Sequence, residues 1–89
     1  MLIMYRGTEE EAKARLRKKG WRDARMDVGP QGAIELMQKD SVIIAFDPDG
    51  GYASEPCAQT AFGFVPLPHG EPLREEAVDC LCDCVPAKG

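Results

Sequence analysis

No apolar run in the 89-residue chain is longer than five residues; the longest are 1–5 and 42–46. A membrane span needs about twenty apolar residues, and a secretory leader needs a basic start and a longer apolar stretch. Neither pattern is present, so the expected location is cytoplasmic. Histidine is nearly absent too. His69 is the only one, and it sits in a Pro-Gly loop where a lone imidazole is ordinarily solvated. There is no G-x-S-x-G, no H-E-x-x-H and no P-loop. Those are the patterns that set a nucleophile beside its base, two histidines on one metal, or amides around a phosphate. Fifteen acids make paired carboxylates uninformative. The expected protein is not an enzyme and takes no cofactor.

Cysteine is present four times, as Cys57, Cys80, Cys82 and Cys84, but never as C-x-x-C. Zinc takes four tetrahedral ligands, usually from short paired spacings. On a helix, Cys80 and Cys84 share a face while Cys82 points the other way, so only two of the three reach one ion. The remaining metal candidate, Cys57, His69, Cys80 and Cys84, needs two distant loops to converge. The favoured reading is no metal, with Cys80 and Cys84 as reduced core filler and Cys82 as a surface thiol. A bridge from Cys57 to the closing helix stays open. Asp47-Pro48-Asp49-Gly50-Gly51 with Glu55 echoes a calcium loop. Gly51 and Ala58, however, fall where that loop needs its third oxygen ligand and its bidentate acid, so it reads as a turn.

What the chain does have is a divided charge. Residues 1–25 hold eight bases and four acids, and residues 26–89 three bases and eleven acids, which gives +4, −8 and the net −4. Fields of this kind steer partners. The hydrophobic content of 44% fits one folded domain over 1–89, with no repeat, linker or low-complexity tract.

Thr8-Glu9-Glu10-Glu11 is a capping box, and Gly20 is a helix stop after Arg17, Lys18 and Lys19, so a helix is predicted over 8–19. Ala12 and Leu16 form its narrow apolar stripe. Period-two alternation predicts strands over 22–28 and 33–38, joined at Gly29-Pro30-Gln31-Gly32. Residues 42–46 are apolar at every position and predict a central strand covered on both sides. A loop is expected over 52–59, a strand over 60–65 with Phe62 and Phe64 on one face, and an edge strand within the first six residues. Leu73, Ala77, Cys80, Leu81 and Cys84 cluster on one face of a helix over 72–84, opened by Pro72. The fold class is α+β in two layers. An antiparallel three- to four-stranded meander sheet is flanked by an N-terminal and a C-terminal helix. Ile44, Phe46, Phe62, Leu36 and Leu81 are the expected core.

The helix–strands–helix order resembles the double-stranded-RNA-binding domain. That family is basic at the start of its last helix, where this chain has Glu71, Glu75 and Glu76, which argues against nucleic acid. An acidic face of Glu71, Glu75, Glu76, Asp79 and Asp83 is the expected contact for a protein partner met electrostatically. The alternative is the basic surface of Arg15, Lys18, Lys19 and Arg22, within a run that could meet phosphates. As a class, small compact acidic chains of this kind resemble phage and mobile-element inhibitors of host nucleic-acid-binding proteins, anti-CRISPR proteins among them. A cysteine-based metal or thiol protein is the other expectation. Metal analysis separates them: in reducing buffer, no stoichiometric zinc and rapid labelling of Cys82 are expected. One zinc per chain that survives dialysis, with unfolding on chelation, would establish the metal protein instead.

Overall fold

The computed structural model describes residues 2–27, 29–47 and 50–81. Helix α1, Glu9–Lys18, starts as its sequence requires. The Glu11 N–H donates to Thr8 Oγ1 at 3.1 Å, and the Thr8 N–H donates to Glu11 Oε1 at 2.9 Å. Gly20, at φ +97°, ends it in a conformation that side chains other than glycine resist. Helix α2, Pro72–Leu81, lies inside the predicted range; positions 82–84 fall outside the described residues.

There are more strands than the expected meander. Strands β2 (Arg22–Asp27), β3 (Ala33–Lys39) and β4 (Val42–Ala45) form antiparallel hairpins. Beyond β4 come β6 (Cys57–Thr60) and β7 (Gly63–Pro66), giving the order β2-β3-β4-β6-β7. Strand β1 (Leu2–Met4) pairs with β5 (Tyr52–Ser54) in a separate two-stranded ribbon. The predicted loop over 52–59 is therefore mostly strand. It forms a broken second edge along β4, through Phe46↔Ala53 at one end and Ile43↔Cys57 at the other. Three residues, 54–56, stand opposite two, 44–45. That bulge, carrying the fully buried Pro56, lets the ribbon and the β6–β7 hairpin diverge.

Both helices bury against one face of the sheet. Ala12 and Leu16 of α1 and Ala77, Cys80 and Leu81 of α2 share a cluster with Met37, Val42, Ile44 and Phe46. Tyr5 and Phe46 meet ring to ring at 5.5 Å. Leu36, Ile44, Phe46 and Leu81 are buried as expected, but Phe62 is not. The predicted strand over 60–65 is interrupted: Thr60 ends β6, residues 61–62 turn, and residues 63–65 belong to β7, the turn being closed at Thr60↔Gly63 with Gly63 at φ +111°. Phe62 sits on its tip, 97% exposed. Alternation placed Phe62 with Phe64, but the chain reverses between them.

These positions should respond differently to truncation. Ile44→Ala is expected to cost about 2–5 kcal/mol, and Phe62→Ser no more than about 0.5 kcal/mol. Both are read from the denaturant midpoint at constant slope. A core-sized loss at Phe62 would contradict the hairpin.

Candidate protein interface

The acidic and basic halves of the sequence are neighbours in space. Helices α1 and α2 pack against each other, and the Arg15 guanidinium donates to the carbonyls of Cys80 and Arg6. Of the expected acidic face, Glu71 accepts from the Leu73 N–H at 2.8 Å and Glu75 from the Gly70 N–H at 3.4 Å. Both carboxylates cap the start of α2. Glu76 is half-buried and joins three elements. Its Oε2 accepts from Trp21 Nε1 at 2.7 Å and from Lys39 Nζ at 2.8 Å, while Lys39 also donates to the Lys19 carbonyl at 2.6 Å. Asp79 is exposed, and Asp83 lies outside the described residues.

The basic run is similarly occupied. Lys13 is buried, with its ammonium 2.9 Å from Glu9, 3.5 Å from Glu35 and 5.4 Å above the Phe46 ring. Burial opposes its charge, but the two carboxylates outweigh that and raise its pKa. Arg17 bridges Glu10 and Asp23, and Arg25 reaches Glu35. Lys18, Lys19 and Arg22 stay exposed, with no side-chain ion pair among the described residues.

No three of His, Cys, Asp and Glu converge on a possible ion among the described residues. Cys57 is half-buried on the sheet, Cys80 is buried under α1, and His69 is exposed; Cys82 and Cys84 are outside the described residues. Burial raises the pKa of both described thiols, which opposes ionisation to the thiolate. Glu55 of the calcium-like segment is turned to Arg74 at 3.2 Å.

The surface that sequence reasoning missed is the other face of the sheet. Directly opposed residues of antiparallel strands share a face. One cross-strand row is Arg22, Gln38, Ile43, Cys57 and Pro66; the next is Ala24, Leu36 and Ala45; a third is Met26 and Ile34. Gln59 and Phe64 extend it on one side, and Leu2, Met4, Tyr52 and Ser54 on the ribbon. Leu36 is buried, yet it stands apart from the cluster under the helices. Among the described residues no helix covers this face. The central strand β4, expected to be covered on both sides, is covered on one. Among the described residues of these strand rows, Arg22 is the only Asp, Glu, Lys or Arg. Asp47 closes one end of a shallow groove of about 270 Å³ lined by Leu2, Ile34, Ala45 and Tyr52. A solvated sheet face is ordinarily polar, and this one carries Ala24, Met26, Ile34, Ile43 and Ala45. One sequence signal could have shown part of it: residues 56–70 contain no Asp, Glu, Lys or Arg.

No family model, curated protein or solved structure matches this chain. Among the described residues no helix is long and apolar enough to cross a membrane.

Glu76 yields a pH prediction. Its partial burial would raise the carboxyl, but the hydrogen bonds from Lys39 and Trp21 outweigh this and hold it below its ordinary range. A carboxyl lowered in the folded state stabilises fully above its unfolded pKa, about 4.3, and that contribution fades as pH falls through the folded value. Wild-type stability should therefore fall on acidification below about pH 4.3, and Glu76→Gln should flatten that fall. Equal acid slopes in denaturant titrations of the two proteins would remove Glu76 from the linkage.

Proposed function

We propose that the chain is a non-catalytic protein-binding module whose contact surface is the open face of the sheet. The observation that carries this reading is the uncovered apolar face, with its charges confined to the border. Its centre is Ala24, Ile34, Ile43 and Ala45, all partly exposed, around the buried Leu36. Gln38, Gln59 and Arg22 lie toward its edge, the apolar-centre and polar-rim anatomy of protein interfaces. Burying such a face removes apolar area from water at about 25 cal/mol per Å² before the costs of association.

A second reading keeps the acidic side of α2 as the contact, favoured by the exposure of Glu75 and Asp79. Charge there would set the association rate and its salt dependence. An inhibitor of a host nucleic-acid-binding protein would use that side, since a basic groove needs an acidic complement.

Cross-linked capture from lysate with three proteins separates the readings. Wild type and Glu75→Lys/Asp79→Lys should recover the same partner, and Met26→Glu/Phe64→Glu should lose it. Loss in the helix variant alone, with salt reproducing that loss in wild type, would transfer the function to α2.

A further inference from the structure

We propose that the occupant of the open sheet face is a second copy of this chain, packed face to face about a two-fold axis. This rests on the reading of that face as a protein-binding surface, and it names the partner. A chain of net charge −4 repels its own copies. The open face is where that repulsion is weakest, because the acids and bases among the described residues lie on the helix-covered side, in the turns or at the border of the face. A partner of opposite charge would be drawn instead to α2.

The border charges fit the same symmetry. Arg22 stands in the row nearest the β3–β4 turn, and Asp47 follows β4 at the opposite end of the strands. A two-fold axis lying across the strands reverses one copy end for end. It sets Arg22 of each copy at the end of the face where Asp47 of the other lies. An isologous contact needs this kind of self-complementarity. Pleated faces also pack on one another about 10 Å apart with little demand on sequence beyond apolar side chains.

The area fixes how strong the contact is. The ten positions of the three rows with Gln59 and Phe64, each about 4.8 Å by 6.8 Å, give a projected footprint of roughly 400 Å² per copy. The standard interface takes about 800 Å² from each partner, and weak ones fall below about 1,200 Å² in total. Leu2 and Met4 on the ribbon, 59% and 63% exposed, add to the footprint without moving it into the obligate class. The dimer is therefore weak and dissociates on dilution.

Sedimentation velocity of the full chain over a roughly hundredfold concentration range, micromolar upward, tests this. The expected result is a monomer that becomes a dimer as concentration rises, unweakened by added salt, as apolar contact requires. Met26→Glu and the milder Phe64→Ser, at the exposed end of the face, should each raise the dissociation constant roughly tenfold. Circular dichroism verifies that both remain folded. Glu75→Lys, on the helix side, should leave the dimer unchanged. A wild type that stays monomeric throughout overturns the self-pairing. If Met26→Glu/Phe64→Glu nevertheless loses a captured partner, the open face remains a binding surface for another protein; if it does not, both readings fall. A dimer insensitive to Met26→Glu and Phe64→Ser also overturns the proposal, since another surface would then make it.

Discussion

Two ten-residue helices are the whole helical layer described for this chain, and that limit shapes the rest of the molecule. Each is about 15 Å long, and side by side they cover a strip about 20 Å wide. That covers one face of a five-stranded sheet and leaves nothing for the other. The core is correspondingly thin: one layer of Met37, Val42, Ile44 and Phe46 under Ala12, Leu16, Ala77 and Leu81. Among the described residues, no layer lies above the apolar residues of the second face.

Polar groups are concentrated along the seam between helices and sheet. Lys13 holds its ammonium over the Phe46 ring and beside Glu9 and Glu35, so one buried side chain links the core to the rim. Glu76 draws together Trp21 after α1, Lys39 at the end of β3, and α2 itself. Arg15 supplies donors to carbonyls at the far end of α2 and after β1. These contacts consume charges that the sequence presents as a steering surface. Seen along the chain the molecule has a basic end and an acidic end; folded, those ends are adjacent helices bonded to each other.

The consequence for function is a division by face rather than by end. Charge lies with the helices, partly spent on holding them. The open face has almost none, and it runs from the ribbon of β1 and β5 through the central strands to Phe64 of the β6–β7 hairpin. An apolar surface of that breadth on a small domain is costly to leave in water, which is why the proposed binding role rests on it rather than on the acids of α2.

Much of this was written locally. The capping box at Thr8 and Glu11, the stop at Gly20, Pro72 opening α2, and the alternation through β2 and β3 each depend on groups a few residues apart. Such interactions form whatever surrounds them, so sequence alone determined both helices, four of the strands (β1 to β4) and the α+β class. Phe62, residues 52–59 and the open face were decided by tertiary structure. Whether an alternating segment is one strand or two depends on where the chain reverses, and that is set by pairing with β4, distant in sequence. Whether an apolar strand is covered on one side or both depends on how many helices reach it. Val42 to Phe46 reads identically in either case, because the residues of a strand record what they would bury against and not whether it is there.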